Sequence, residues 1–270
     1  APDGENFRGI NAVRVLSTQN KFTIDKTIAA GYDMYLSAVE VLVPALIKSF
    51  ETTGKPGDSL YRSLAAPIAV LKNWDYYSSN HSIAVTLAIE WAQRLNAAIR
   101  RIYIEDGDDD QVTATKRFAA TATAYQLLKP LLETVNQLKQ QFGTWEIPWG
   151  DINRYQRVSN DLIQNYDDTK ISYPVPFASA LWGMLPSYNS RTFPGTKKRY
   201  GFHGNSFVCA VEFGEKIKAK SLLAGGNSGD PNSKHFTDQL EMYTKGEFKD
   251  VLFYKEDVLK HAERTYHPGE

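Results

Sequence analysis

The chain contains the stretch Gly225-Gly226-Asn227-Ser228-Gly229-Asp230-Pro231-Asn232-Ser233-Lys234-His235-Phe236-Thr237-Asp238-Gln239. Two apolar segments, residues 207–213 and 217–223, precede it, and the three residues between them include Gly214. A short connection that contains glycine predicts a β-hairpin. A short helix is predicted over residues 236–243. The quoted stretch is therefore predicted to be a turn that joins a hairpin to a helix.

The side chains after the glycines are predicted to hold this turn in place. His235 and Asp238 are three residues apart, so they share one face of a helical turn, and Gln239 follows directly. A turn that is rich in glycine and asparagine leaves backbone polar groups without partners, and these three side chains can bind them. The glycines allow backbone conformations that are closed to other residues. An architectural role is therefore expected.

Helical periodicity dominates the first half of the chain. Thr23 is a predicted N-cap, and the apolar stripe that follows predicts one long helix over residues 24–50. A second tract begins at Asp58 and contains Pro67. Proline lacks the N–H group that a helix interior needs, so we expect a break at that position.

Two further helical tracts follow. Ser82 is placed to cap the third, whose apolar residues keep helical spacing up to the acidic stretch. The fourth tract is predicted over residues 112–142, with a kink at Pro130 and a C-terminal stop at Gly143. After Gly143 prolines and aromatic residues become frequent and the periodicity is lost, although a last turn of helix is expected near residues 256–261.

The fold class predicted from this pattern is α+β, with a helical first half and a strand-rich second half. The change of composition divides the chain into a mainly helical segment, residues 1–143, and a strand- and loop-rich segment, residues 144–270. A change in composition does not by itself separate two folding units, and we expect one interdependent fragment.

The overall composition argues against several classes of partner. The 31 basic residues balance the 31 acidic residues, so no global field attracts nucleic acid. The mean hydropathy is −0.41 and the apolar runs are too short for a membrane span, which predicts no membrane partner. Cys209 is the only cysteine, which excludes an internal disulfide. The chain begins with Ala1 rather than methionine, as expected for a processed product or a part of something longer.

Acidic and glycine-rich segments suggest ion or phosphate binding, but each pattern is incomplete. Asp106, Asp108 and Asp110 alternate as in a calcium loop, yet Gln111 and Arg117 stand where that motif needs glycine and glutamate. A solvated loop whose last aspartate caps the next helix is expected instead. The turn after residue 225 lacks the spacing of a phosphate-binding loop. No metal and no cofactor are predicted.

Nucleophilic and zinc chemistry have equally weak signals. Ser206 lies close after His203, but no G-x-S-x-G elbow surrounds it, so we expect it to pack or hydrogen-bond at the start of a strand. Histidines in paired helical spacing would predict a zinc site, and the chain has no such pair. Its histidines are His81, His203, His235, His261 and His267.

Several strings together resemble the penicillin acylases and their acyl-homoserine-lactone acylase relatives, in the later part of the β chain. Residues 226–239 resemble that family's G-[QN]-S-G-[DN]-P-x-S-x-H-[FY]-x-D-Q string. Weaker blocks lie at residues 22–25, 74–91, 149–151 and 204–207 and keep the family's order. The structural motif that the resemblance implies comprises Gly226, Asn227, Ser228, Gly229, Asp230, His235, Asp238 and Gln239.

The family resemblance implies an N-terminal-nucleophile amidohydrolase with an αββα architecture. In such enzymes the first serine of the β chain attacks an amide carbonyl, its own α-amino group is the base, and an asparagine side chain completes the oxyanion hole. Ala1 cannot be that nucleophile, and the family's asparagine lies in an earlier segment. Arg8 and Arg14 resemble the stretch that carries the family's supporting arginine, which implies an indirect role for Arg8; the alternative is an ordinary surface arginine.

The leading hypothesis is a C-terminal fragment of the β subunit of a penicillin-amidase-like acylase, inactive alone. The remainder of the β chain and the α chain would be its partners, an acyl amide would be the parent's substrate, and a periplasmic or secreted location is expected from the family. A natural non-catalytic interaction module derived from this fold is the alternative. A hydrolase that uses Ser206 and His203 in place is a third hypothesis.

Overall fold

The helical tracts of the first half form seven helices in the computed structural model, which describes residues 4–105, 110–267 and 269. They are α1 Phe7–Leu16, α2 Ile24–Gly31, α3 Ser37–Thr53, α4 Ser59–Lys72, α5 Ile83–Glu105, α6 Gln111–Thr121 and α7 Ala124–Phe142. Thr23 and Ser82 accept hydrogen bonds from backbone N–H groups at the starts of α2 and α5, as predicted. None of the helices in the described part of the chain has the length and hydropathy needed to cross a membrane.

The single long helix predicted over residues 24–50 is wrong, because α2 and α3 are separate. Between them, Tyr35 forms an antiparallel bridge with Tyr77. The N–H of Leu36 donates to the carbonyl of Tyr76, and the N–H of Ser78 donates to the carbonyl of Met34. These contacts with a distant segment replace the helical hydrogen bonds that the local pattern favours.

The break predicted at Pro67 is also wrong, since α4 continues through that residue. Pro67 is buried beside Leu64, Ile68 and Leu71, so the packing of this apolar face compensates for the missing hydrogen bond. Helix α7 likewise continues through Pro130 to Phe142.

The fourth predicted tract is two helices rather than one, and a capping box divides them. The hydroxyl of Thr123 accepts from the N–H of Gln126, and the Gln126 side chain accepts from the N–H of Thr123. This T-x-x-Q pattern is a recognised helix start that the sequence analysis overlooked. The predicted stop at Gly143 is confirmed, because this residue caps α7 with a φ of 81°.

The second half contains short strands and short helices, which confirms the α+β prediction. Its elements are α8 Trp149–Ile152, β1 Asn153–Tyr155, β2 Tyr173–Pro174, a 3-10 helix Ala180–Trp182, β3 Tyr188–Thr192, β4 Arg199–Gly204, β5 Phe207–Glu212, β6 Lys218–Leu223, α9 Leu240–Lys245, β7 Lys249–Asp250 and α10 Lys255–Lys260. The helix predicted over residues 236–243 begins later, at Leu240, because residues 233–239 form turns on the preceding loop. The last helix lies where it was predicted.

These strands form two sheets. The first has the order β2-β1-β4-β3, in which β1 and β4 are parallel and the other neighbours antiparallel. The second has the order β5-β6-β7 and contains the predicted hairpin, with Phe207 opposite Leu223 and Glu212 opposite Lys218. The parallel pair joins segments more than forty residues apart, so no hairpin pattern in the sequence announces it.

One hydrophobic core connects the helices to the first sheet. Its largest members are fully buried, and they come from both halves of the chain: Leu42, Leu46, Leu87, Trp91, Trp149, Phe177 and Tyr243. A buried ion pair also joins the halves, because Arg199 on β4 lies 2.7 Å from Glu90 on α5. The first sheet is thereby fixed against α5.

Candidate functional site

Two glycines of the quoted stretch are required for different reasons. Gly225 has a φ of +113°, a conformation that side chains with a Cβ rarely adopt. A Cβ at Gly226 would collide with the carbonyl of His235 and lie 2.7 Å from the Oδ1 atom of Asp238. Gly229 differs from the expectation, since its φ is not positive and a Cβ there would have no atom within 4 Å. The turn therefore depends on the first two glycines.

Gln239 binds the end of the hairpin to this turn. The N–H of Ala224 donates to the Ser206 carbonyl at 2.8 Å, so in the alternating antiparallel pattern the N–H of Leu223 points away from β5. Strand β7 pairs with β6 only at residues 220 and 221. The Oε1 atom of Gln239 accepts from the Leu223 N–H at 2.9 Å and replaces the missing strand neighbour.

The same glutamine also contacts the loop beyond the hairpin. Its Nε2 group donates to the Oδ1 atom of Asn227 at 2.8 Å, and its backbone N–H donates to the Gly225 carbonyl at 2.9 Å. Gln239 is 4% exposed. The hydroxyl of Ser228 and the carboxylate of Asp230 accept from backbone N–H groups two residues on, which shapes the loop locally.

His235 and Asp238 form a pair with each other. The Nδ1 atom of His235 lies 2.7 Å from the Oδ2 atom of Asp238, and both side chains are more than a third exposed. The backbone of His235, rather than either side chain, hydrogen-bonds to the turn: the His235 carbonyl accepts from the Ser228 N–H at 3.0 Å. Within the described residues no hydroxyl or thiol hydrogen-bonds to the imidazole ring of this histidine, so the pair does not activate a nucleophile.

A cleft of about 600 Å³ opens beside the glycine turn. Arg157 connects the two, because its guanidinium lies 4.0 Å from the Phe236 ring centroid and donates to the Phe236 carbonyl at 2.5 Å. The loop after β1, the strands β3 and β4, and the residues around α9 provide its walls. Arg157, Arg191 and the tyrosines of this cleft come from separate segments without a shared motif, so no local sequence pattern predicts that they converge.

Ser206 and His203 both line this cleft, but their side chains do not hydrogen-bond to each other or to a carboxylate among the described residues. Nucleophilic activation requires a hydrogen bond between nucleophile and base. The carbonyl of Ser206 accepts from Ala224, which is a role in strand pairing. This geometry does not support the hypothesis of a hydrolase that uses these two residues.

Arg8 lies near the start of α1 and does not line the large cleft. Its Nη2 group donates to the Leu185 carbonyl at 2.6 Å. Arg8 also lines an open hollow of about 530 Å³ together with Asn205, which belongs to the large cleft as well. Arg14, by contrast, is held by Asp33 at 2.7 Å and by Asn11 at 2.8 Å. Arg8 is thus the arginine of this stretch that lies beside an open surface.

The acidic run has no described site. Asp106 and Asp108 lie outside the described residues, whereas Asp110 caps α6 by accepting from the Thr113 N–H at 2.7 Å, as expected. Among the residues that the structure describes, no group of three or more histidine, cysteine, aspartate or glutamate side chains is placed to hold a metal ion.

Comparison with known proteins identifies the family to which this chain belongs. The family model described as Penicillin amidase matches residues 2–260 of the chain. The chain belongs to the penicillin amidase family. A curated relative, the acyl-homoserine lactone acylase PvdQ of Pseudomonas syringae pv. syringae (strain B728a), is 25% identical over 264 residues, which are 95% of this chain and 32% of that protein.

A solved structure, the thermostable penicillin G acylase from Alcaligenes faecalis in orthorhombic form, is 14% identical with a TM-score of 0.48. The match covers 96% of this chain and 52% of that chain. This penicillin amidase family chain therefore spans about a third of its curated relative and about half of the solved structure.

The structure brings two of the family-like blocks together. The N–H of Trp149 donates to the Ser82 carbonyl at 3.1 Å, and the N–H of Gly150 donates to the Asn80 carbonyl at 2.8 Å. A Cβ at Gly150 would lie 2.9 Å from the Asn80 side chain, so glycine permits this close approach. In this penicillin amidase family member the blocks thus join the helical segment to the first sheet.

Proposed function

We propose that this chain is the C-terminal part of the β subunit of an acylase that hydrolyses linear amides to a carboxylic acid and an amine. The observation that carries the proposal is the family match over residues 2–260. The limited share of the relatives' length supports a larger parent, in which the remainder of the β chain and an α chain complete an αββα architecture. The parent acts in the periplasm or outside the cell.

Residues 1–143 and 144–270 act in this proposal as one interdependent fragment. The contact of Trp149 with Ser82 and the ion pair of Arg199 with Glu90 support it, because both cross the boundary at residue 143. The glycine turn is an architectural element of the same fragment. Its buried glutamine and its two constrained glycines support that role.

The chain alone is inactive in this proposal. Within the described residues no serine, threonine or cysteine side chain hydrogen-bonds to the ring of His203 or His235, and the family's nucleophile and oxyanion asparagine belong to other segments. The purified chain should therefore not turn over a chromogenic phenylacetyl or fatty-acyl amide. Turnover that survives Ser206→Ala would contradict the proposal, and turnover that this substitution abolishes would favour a hydrolase centred on Ser206.

Arg8 is a positioning residue in this proposal. Its hydrogen bond to Leu185 leaves the rest of the guanidinium beside an open hollow, where it can support the groups that stabilise the oxyanion. Loss of such preorganised support costs about 10²-fold or more in rate. Arg8→Ala in the processed full-length parent should lower kcat by that factor with a smaller change in KM, and Arg8→Lys should recover part of the loss.

Arg62 offers a matched control, because it is an exposed arginine of α4 outside the hollow. Rates are normalised to correctly processed active sites, which separates catalysis from maturation. Arg62→Ala should leave kcat unchanged. If Arg8→Ala stayed within about twofold of the wild type, far from the loss expected for an oxyanion support, Arg8 would be an ordinary surface residue.

A further inference from the structure

The large cleft beside the glycine turn has cationic walls without neutralising carboxylates. Arg157 and Arg191 both line it, and no aspartate or glutamate is present among the described residues that do so. Neither arginine has an ion-pair partner within the described part of the chain. Guanidinium groups that line one cleft without a carboxylate can bind anions there, and they suit planar carboxylates particularly well.

The two guanidinium groups are held by aromatic rings. Arg191 lies 4.9 Å from the Phe193 centroid and 5.0 Å from the Phe202 centroid. Arg157 lies 4.0 Å from the Phe236 centroid. Stacking restricts the rotamers of these long side chains without using up their N–H donors. A ligand therefore meets donors that are already oriented.

Tyrosine hydroxyls add further donors to the same cleft. The hydroxyls of Tyr166 and Tyr188 are occupied, since they donate to the carbonyls of Gly201 and Arg154. The hydroxyls of Tyr155 and Tyr243 have no hydrogen-bond partner among the described residues, although Tyr243 is only 2% exposed. Both tyrosines line the cleft, so their hydroxyls can donate to a ligand there.

Burial raises the pKa of Tyr155 to about 12, so at neutral pH its hydroxyl remains protonated and can donate. Coulombic attraction from Arg157 opposes this shift and is the smaller effect. The arginine and tyrosine groups without hydrogen-bond acceptors in this cleft are thus donors. A ligand with several acceptor atoms would complement them.

The rim of the cleft is apolar and open. Leu162 is 103% exposed, Ile163 is 83% exposed, and Phe202 is 56% exposed, and all three line the cleft. Large apolar side chains clustered at a cavity mark a binding surface more often than chance. A ligand of this cleft would therefore combine an anionic head with an apolar body.

We propose that this cleft binds an amphipathic monocarboxylate, with the carboxylate between Arg157, Arg191 and the Tyr155 hydroxyl and the apolar chain against Phe202 and Leu162. A volume of about 600 Å³ falls in the range of small-molecule sites. Arg8 does not line this cleft, although Asn205 lines both the cleft and the hollow beside Arg8. It requires no processed nucleophile, so its test does not depend on acylase activity.

Isothermal titration of the full chain with octanoate, octanamide and acetate tests the head and the tail separately. One charge-assisted hydrogen bond corresponds to about tenfold in affinity. The wild type should therefore bind octanamide at least about tenfold more weakly than octanoate, and Arg191→Ala should bind octanoate more weakly than the wild type by the same factor. Acetate, which lacks the tail, should be weaker by a similar factor. Tyr155→Phe should weaken octanoate binding, and the control Arg62→Ala should not.

Circular dichroism confirms that each variant is folded, and Arg191→Lys supplies a second variant that keeps the charge but loses the planar fork. Titration of the wild type at rising salt is a measurement without any substitution: octanoate affinity should fall, and octanamide affinity should stay constant. Equal affinity for octanoate and octanamide would overturn the proposal. Octanoate affinity of Arg191→Ala equal to that of Arg62→Ala would also overturn it.

Discussion

Replacement of Gln239 by methionine should destabilise the chain because it removes two hydrogen bonds at nearly constant volume. The N–H of Leu223 points away from β5 and has the Oε1 atom of Gln239 as its acceptor at 2.9 Å. The Nε2 group donates to Asn227 at 2.8 Å. Gln239 is 4% exposed, so water cannot readily replace it.

The two lost bonds differ in cost. Asn227 is exposed, so its side chain can hydrogen-bond to water and the loss of its bond to Gln239 costs little. The orphaned Leu223 N–H, which is partly buried, costs about 1–3 kcal/mol, since a donor that is shielded from water and lacks an acceptor bears a desolvation penalty. For a chain of this size each kcal/mol lowers Tm by roughly 2–4 °C, so we expect a decrease of about 4–8 °C for a loss of about 2 kcal/mol.

Thermal and urea unfolding followed by circular dichroism measures this decrease. Gln140→Met is the matched control, because Gln140 is exposed on α7, and surface substitutions normally stay within about 0.5 kcal/mol. In the processed parent, Gln239→Met should leave the rate per active site unchanged. A Tm equal to that of Gln140→Met would refute the reasoning, because it would mean that Leu223 finds another acceptor without cost.

Further predictions concern other contacts. Arg199→Met should lower the free energy of unfolding measured in urea by about 3 kcal/mol, the lower end for a buried pair, because it leaves the mostly buried Glu90 without its partner. Adding Glu90→Leu should recover much of this loss; equal stability of the single and double variants would contradict this. Gly225→Ala should cost about 1 kcal/mol or more, because φ is +113°. Asp238→Ala in the parent should lower the free energy of unfolding by no more than about 1 kcal/mol, because its pair with His235 is exposed, and should not change the rate per processed site; a hundredfold rate loss at normal stability would instead indicate catalysis. A backbone N–H and a neighbouring lysine lower the pKa of Glu212 from its usual 4.5. The stability that the ionised Glu212 contributes is fully present above its usual pKa and is lost as the pH falls through its lower folded pKa. Glu212→Gln should therefore reduce the loss of stability in acid titrations.

Local signals in the sequence predicted those elements whose hydrogen bonds close within a few residues. Ser82 and Gly143 mark a helix start and a helix end because capping involves only the adjacent turn. The hairpin follows from alternation and a short glycine-containing connection. The string at residues 226–239 likewise predicted the family, since that match depends on the order of residues alone.

Long-range contacts decided the remainder. Tyr35 ends a helix-like stripe because Tyr77 is available to bridge it, and Pro67 stays helical because its apolar neighbours are buried. The parallel pairing of β1 with β4 brings the loop around Arg157 beside the strand that carries Phe202, and thereby forms the cleft. Periodicity and caps report neighbours along the chain, whereas the cleft requires side chains from separate segments to converge, which only tertiary packing brings about.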